Sequence, residues 1–415
     1  MRNIFTLFAI GALAGTAAAQ PAPPPDVPPT PTPAPTPTPE PAPVPPPADK
    51  LKPAEPPPEE PKQEEPKQED PPPTKKLMVG AKGLFNPGAL LQGWYQHERA
   101  GDTTQVSQFR IRRAELSISG EILPKKVGYK VMFDPARVLD TQTKVPLFDA
   151  AGNPVVDDKG KAVTINNAAK LSTLQDFYIT GLTPYAEVSL GQFKIPVSWE
   201  GYNSSGKLIF PERAVVSNTF GDKRDLGIRV TKTFPMWMYS AGIFNGSGLD
   251  NPDNNVQKDL TLRLEVYPVK GLTLAGMAYD SVGERDHAGT KDRWEGDARY
   301  EEGPILVQGE VIFARDVAKD GVDPTKAHGF YVLAGYTIPD VDTTFHGAIQ
   351  PVIRVGAFDP DSGVDKNELV HFDVGVNYYL QKHEMKLQLA YQRTQFSDDA
   401  KPANNEFIVA AQVSF

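Results

Sequence analysis

From Leu77 to Phe415 apolar side chains recur at every second position, in runs of about ten residues broken by turn-forming residues. Neighbouring side chains of an extended strand point to opposite faces, so a period of two commits this stretch to β-strands with one apolar and one wet face. In the last run Phe407, Val409, Ala411, Val413 and Phe415 point one way and Glu406, Ile408, Ala410, Gln412 and Ser414 the other, and the run closes on the phenylalanine. Phe372, Val374, Val376, Tyr378 and Leu380 alternate with His371, Asp373 and Asn377 in the same manner, and Leu260, Leu262, Leu264 and Val266 with Thr261, Arg263 and Glu265. A soluble sandwich of two sheets alternates too, so the period fixes strands and leaves their arrangement open.

The connections narrow the arrangement. Sixteen runs are legible, near 88–97, 106–122, 125–135, 170–181, 184–194, 223–233, 236–244, 257–268, 271–280, 293–301, 304–315, 327–338, 346–357, 368–380, 384–396 and 405–415. After every even run the connection is short, as at Leu123-Pro124-Lys125 or Phe234-Pro235, and after every odd run it is longer, with 136–169 and 195–222 the longest. An even strand number with alternating short and long connections predicts an all-β fold, a transmembrane antiparallel β-barrel over residues 77–415 with periplasmic turns and extracellular loops. Trp94, Tyr95, Trp237, Tyr239, Trp294, Tyr378 and Tyr379 lie near strand ends, where such barrels carry aromatic girdles.

The N-terminal part follows other rules. Of the 42 prolines, 25 fall between Pro21 and Pro73. Residues 1–19 read as a signal peptide, with Arg2 at the start, an apolar stretch from Ile4 to Leu13 and Ala17-Ala18-Ala19 as the cleavage site, so the mature chain is expected to begin at Gln20. Residues 20–76 have almost no aliphatic side chains to offset the entropy of ordering and are expected to form a disordered, Pro-rich periplasmic linker. At about 3.1 Å per residue in polyproline II this arm reaches on the order of 175 Å, comparable to the depth of a periplasm. Its length and its EEPKQEEPKQ repeat leave two roles open, a solvated spacer or a tether to peptidoglycan or a periplasmic partner.

Several function classes fall away. There is no cysteine, which excludes disulfides, thiolate metal sites and cysteine nucleophiles. The formal charge of −9 offers no basic footprint for nucleic acid, and no run of 18 apolar residues exists to span a bilayer as a helix. The mean hydropathy of −0.38 fits a barrel whose alternate residues face water. Six histidines form no recognised metal-ligand spacing, and DPDSGVDKNE places Asp359, Asp361, Asp365 and Glu368 in a calcium-like order that Ser362-Gly363 breaks, so a solvated turn is expected there. Neither a G-x-S-x-G elbow nor a P-loop is present, and Ser117 and His371 are not joined by any motif; no enzyme activity, metal or cofactor is expected.

The segment SLGQFKIPVSWEGYNSSGKLIFPERAVVSNTFGDKRDLGIRV resembles the phosphate-selective porin O and P family through G-Q-F-K-x-P (Gly191 to Pro196), Ser204-Ser205, Glu212-Arg213-Ala214 and R-D-x-G (Arg224 to Gly227). FRIRRAELSISGEI from Phe109 is similar to that family's arginine-bearing early strand, and VNYYLQKHEMKLQLAYQR to its penultimate hairpin. The resemblance implies a sixteen-stranded outer-membrane barrel, usually a homotrimer, giving passive diffusion of small hydrophilic solutes, with anions such as phosphate favoured. The partners that follow are outer-membrane lipid and lipopolysaccharide and small anionic solutes; the resemblance covers residues 80–415 and not the arm, whose length and repeat at 20–76 add peptidoglycan as a candidate partner, and the charge leaves out nucleic acid. The alternative is a structural outer-membrane protein that uses the arm as a tether.

Anion selection in a wet pore needs fixed positive charge within roughly a Debye length, about 8 Å, of the solute. By strand phase Arg110, Lys130, Arg229, Arg263, Arg299, Arg354 and Lys386 face the lumen. The second strand changes phase between Ile111 and Leu116, which predicts a bulge at Arg112-Arg113 that turns both inward. The connection from Ile195 to Asp222 is expected to fold into the lumen, carrying Lys194, Lys207, Arg213, Lys223 and Arg224 on or beside it. For each cation the alternative is a pair with a carboxylate on a neighbouring strand, for which Glu115, Asp176, Glu187, Glu265, Asp297, Glu310 and Asp373 are available.

Overall fold

The computed structural model describes residues 77–79, 83–140, 144–146, 164–166, 173–253, 255–282, 289–344 and 346–415; the expected signal peptide at 1–19 and Pro-rich arm at 20–76 lie outside the described residues. Sixteen strands make one closed antiparallel sheet. They are β1 (Gly83–Ala100), β2 (Thr103–Leu123), β3 (Val127–Phe133), β4 (Leu174–Leu182), β5 (Glu187–Lys194), β6 (Arg224–Thr233), β7 (Trp237–Phe244) and β8 (Lys258–Val266). They continue as β9 (Leu272–Val282), β10 (Lys291–Glu302), β11 (Ile305–Asp316), β12 (Thr325–Tyr336), β13 (Ala348–Asp359), β14 (Leu369–Gln381), β15 (Met385–Phe396) and β16 (Asn404–Ser414). Each strand pairs with the next, and β16 pairs back with β1, from Asn404 opposite Ala100 to Ser414 opposite Leu90. Closure leaves no row of unpaired N–H and C=O groups, the condition for crossing hydrocarbon with strands.

The alternation in the sequence becomes an apolar outside. On β8 Leu260, Leu262 and Leu264 are exposed outward while Asp259, Thr261 and Arg263 are buried inside, and β4 shows Phe177 and Ile179 outward against buried Asp176 and Thr180. Trp237 and Trp294 sit on the outer face as a girdle requires, but Trp94 and Tyr379 do not. Trp94 pairs with Ala410 on the inward register and packs with Ile408, and Tyr379 donates to Gln350 at 2.9 Å inside the barrel. Being next to each other, Tyr378 and Tyr379 take opposite faces, and Tyr378 bonds Asp342 in the turn.

Two connections depart from the expected alternation. β1 and β2 run on to a two-residue hairpin at Gly101-Asp102, so this odd connection is among the shortest. Residues 337–347 between β12 and β13 are long for a turn, yet closed on themselves by the Ile338–Ile349 bridge, by Val341 N to Gly347 O at 2.9 Å and by Asp342, which accepts from Gly347 N. The bulge lies where the sequence places it: Arg113 stands opposite Gln92 and Ile111 opposite Gly93, which leaves Arg112 as the extra residue.

Gly191 on β5 has φ +136° and faces Gly227 of β6, and a Cβ there meets the Phe177 carbonyl at 2.2 Å. Its absence lets the Phe193 ring lie edge-on between Tyr178 and Phe244 at 5.6 and 5.5 Å, which seats the strand from which the longest described connection departs. Gly191→Val is expected to destabilise the barrel by at least about 2 kcal/mol. Loss of the fast-migrating folded band on unheated gels checks this; an undiminished band contradicts it.

Candidate functional site

The connection from Ile195 to Lys223 folds into the barrel rather than away from it, as the sequence predicts. Its neck is closed by Ile195 N donating to Lys223 O at 2.9 Å. Asp222 draws Lys194, Arg213 and Arg224 together at 2.8, 3.2 and 3.3 Å. Ser198 caps the helical turn Trp199–Tyr202 by accepting from Gly201 N, Ser204 caps the 3-10 turn Ser205–Lys207, and the Val215–Phe220 helix returns the chain to the neck. The two legs touch at Gly201 and Gly221, whose hydrogens are all the space allows.

A loop inside a barrel meets the lumen wall where strands would otherwise meet water, and its backbone carbonyls need donors there. The inner faces of β13 to β16 supply them. Lys386 donates to Leu208 O at 2.6 Å, Asn377 and Gln388 to Ile209 O at 2.9 and 2.8 Å, Gln412 to Gly206 O at 3.0 Å and Arg354 to Glu212 O at 3.0 Å. On β11 the Glu310 carboxylate accepts from Ser198 Oγ and Trp199 N on one leg and from Ser217 Oγ on the other. Apolar contact completes the seat, with Ile195, Val197, Ile209, Phe210, Val216 and Phe220 packed on inward Leu306, Ile312, Leu333 and Val352. Burial of this depth contributes about 1.5–3 kcal/mol per large side chain.

Four loop rings each take an arginine from the wall: Trp199 from Arg299 at 4.4 Å, Phe210 from Arg354 at 4.6 Å, Phe220 from Arg293 at 4.7 Å and Tyr202 from Arg229 at 5.9 Å. Such stacking fixes a guanidinium without neutralising it.

The fourteen candidate cations divide by what holds them. Arg112 and Arg113 clasp Glu212 of the loop, the second at 3.6 Å, and Arg112 lies over the Trp94 ring as does Arg110, which also donates to Gln96. Lys130 and Arg224 share Asp176, each within 3.0 Å. Arg263 is fully buried against Glu265, Glu295 and Asp297, and Arg354 pairs with Asp373 at 2.7 Å. Arg299 pairs with Glu301 and Arg213 is buried in the neck. Arg113, Arg213, Arg224, Arg263, Arg354 and Lys386 are each buried, at 5% exposure or less, and hold the wall or the loop. Of the acids open to pairing, Asp176, Glu265, Asp297 and Asp373 take cations, whereas Glu310 holds the loop instead.

Three candidates remain without a carboxylate within ion-pair distance among the described residues and keep exposure: Lys207 and Lys223, both exposed, and Arg229, half-buried. The Arg229 guanidinium lies 4.5 Å over the Phe193 ring, and its buried Nε meets no acceptor.

A family model, phosphate-selective porin O and P, matches residues 91–284 and 278–415. The chain belongs to the phosphate-selective porin O and P family. This porin shares its fold with the outer-membrane channel DcaP of Acinetobacter baumannii, at a TM-score of 0.54 and 13% identity over 82% of this chain and 99% of that one. An anion-selective porin from Comamonas acidovorans superposes at 0.52 with 12% identity over 80% and 100%, and OmpT of Vibrio cholerae at 0.51 with 13% identity over 82% and 100%. No curated protein sequence matches it. It is therefore an outer-membrane porin, and among its described residues no cluster of acids and histidines is arranged to hold a metal. In the calcium-like turn Asp359 and Asp361 accept instead from the backbone of Asp361 and Gly363.

Sequence reasoning named the loop of this porin and missed what fastens it: Glu310, Asp222, Glu212 and the loop rings. The signal was there in the large apolar and aromatic residues inside the loop, Trp199, Tyr202, Leu208, Ile209 and Phe210, which mark a segment that buries side chains rather than one left in water. Burial works against ionisation of Glu212, but Arg113 and Arg112 hold its carboxyl down to about 2. A depressed carboxyl contributes its stability above the unfolded value, about 4.3, and loses it as pH falls through the folded one. The difference in melting temperature between the wild type and Glu212→Gln is expected to stay constant from pH 7 to about 4.5 and to vanish as pH nears about 2. A difference already lost at pH 5 contradicts the clasp.

Proposed function

We propose that this porin gives passive diffusion of small hydrophilic solutes and prefers anions, phosphate among them. One observation carries the preference: among the described residues the candidate cations that keep exposure without a carboxylate partner, Arg229, Lys207 and Lys223, are at the loop and the wall beside it, while Asp176 and Asp222 are consumed by two and three cations each. The guanidinium of Arg229, held by rings instead of an acid, keeps its full charge for a passing oxyanion. The anion selectivity of the Comamonas acidovorans porin and the family description support the same class. A trimer form of OmpT from Vibrio cholerae has been solved, which supports a homotrimer here, embedded in outer-membrane lipid and lipopolysaccharide with its short turns toward the periplasm. Residues 1–19 serve as signal peptide and 20–76 as a periplasmic arm, and the second role of the protein, tethering to peptidoglycan or a periplasmic partner, rests on the EEPKQEEPKQ repeat.

Reversal potentials of the purified porin in planar bilayers under a salt gradient test the preference. The wild type is expected to favour chloride over potassium, and Arg229→Gln with Lys207→Gln to lower that ratio roughly two- to fivefold. Cation preference in the wild type, or an unmoved ratio in the variant, contradicts it.

A further inference from the structure

On the outer wall three neighbouring strands, β15, β16 and β1, carry a row of polar groups at the rim away from the short turns. Arg393 stands opposite Asn405 and Asn405 opposite Arg99, and directly opposed residues of an antiparallel pair share a face. Two positions further along come Tyr391, Phe407 and His97; Tyr391 and Phe407 are exposed on the outer face, which places the whole row outward. With strands about 4.8 Å apart, the two arginines leave the backbone about 10 Å from each other. The Asn405 amide oxygen accepts from the Arg393 guanidinium at 2.9 Å and from the Tyr391 hydroxyl at 2.7 Å, so that charge is positioned without being cancelled. Arg99 is exposed and lies 3.8 Å from the fully exposed Asp102 carboxylate, a pair that water screens. Between this row and the middle of the wall the outward positions of the three strands hold no carboxylate. The far rim differs: there Asp280 is exposed opposite Asp292, which pairs with Arg315 at 3.4 Å.

Below the arginines the wall is notched. Gly93 and Ala411 stand opposite each other on the ladder that closes the barrel, and a hollow of about 430 Å³ lies over them, flanked by Tyr95, Phe109, Ile111 and Leu387. Phe109 is 85% exposed, with the Tyr95 ring against it at 5.0 Å. A Cβ at Gly93 meets nothing within 4 Å, so packing within the chain does not require glycine there. Glycine inside a strand weakens it and marks places where a ligand or another backbone comes close. Gly93 is six residues from Arg99. That is about 20 Å along the strand and, at a tilt of about 45°, some 14 Å down the wall, the depth of acyl chains.

We propose that this face binds one phosphate-bearing lipid of the outer leaflet, its phosphate between Arg99 and Arg393 and an acyl chain in the notch over Gly93 and Ala411. The proposal gives the lipid partner named above a defined site and rests on the orientation stated there, with the short turns toward the periplasm. Guanidinium groups offer phosphate oxygens paired N–H donors, and at the edge of hydrocarbon their charge is less screened than in bulk water. A free phosphate ion would use the arginines and leave the notch idle; a phosphorylated lipid uses both.

Native mass spectrometry of the full-length porin released from detergent tests this, with diphosphorylated lipid A, its dephosphorylated form and inorganic phosphate as probes. Wild type is expected to retain one diphosphorylated lipid A per chain, roughly fivefold more than the dephosphorylated form. Arg99→Gln with Arg393→Gln is expected to abolish that preference. Gly93→Leu, which fills the notch without a clash, is expected to lower retention of both lipids, and Lys326→Gln, an exposed outward position on β12, to change neither. Unchanged retention in both the arginine pair and Gly93→Leu overturns the proposal, as does displacement of the lipid by an equal concentration of inorganic phosphate. Variants that lose an oligomer but keep their lipid show a second copy on this face and overturn it too. Labelling of Lys401→Cys by a membrane-impermeant maleimide on intact cells reads the orientation separately, and an unlabelled cysteine there overturns the proposal through its premise. A wild type that conducts in bilayers and retains no lipid A overturns the site and leaves the channel assignment standing.

Discussion

A strand cannot cross hydrocarbon with an open edge, because every unpaired backbone group there costs several kcal/mol. The ladder between β16 and β1, from Asn404 opposite Ala100 to Ser414 opposite Leu90, is therefore the interaction on which the other fifteen depend. Once it forms, the outward Leu, Val, Ile and Phe side chains meet lipid and the inward side chains share an enclosed space. What fills that space is then a matter of hydrogen-bond accounting rather than of hydropathy.

Much of the lumen is not wet. The inner faces of β11 to β16 are covered by the loop from Ile195 to Lys223, and Lys386, Gln388, Asn377 and Gln412 are polar because they are donors to its carbonyls. The stacked arginines and the Asp222 neck finish the attachment. Selectivity falls to the few charges that this construction leaves over, and their number is small because most cations already have a structural task. Removing one side of such a buried pair costs more than the pair contributes, so those positions report on folding before they report on permeation.

The barrel was legible in the sequence because its two constraints are periodic. Alternation marks every strand, and the bulge was visible as a phase change between Ile111 and Leu116 that the structure resolves at Arg112. Trp94 and Tyr379 were misplaced because a position near a strand end does not say which face a ring takes, and the ladder register does. Six cations expected to face the lumen are buried and bound to the wall or to the loop, since strand phase distinguishes inward from outward but not open from covered. Glu310 shows the same limit: phase puts it inside, and only the return path of the loop makes it a triple acceptor for Ser198, Trp199 and Ser217.

The chain has no cysteine, so single cysteines can carry a spin label without interference. Labels at Phe177 and Ile179, which are 58% and 50% exposed on the outer face, are expected to collide with oxygen and not with a water-soluble nickel chelate in lipid vesicles, while labels at Lys130 and Lys207 show the reverse. Equal access of the chelate to all four positions would contradict a closed cylinder with lipid outside and water within.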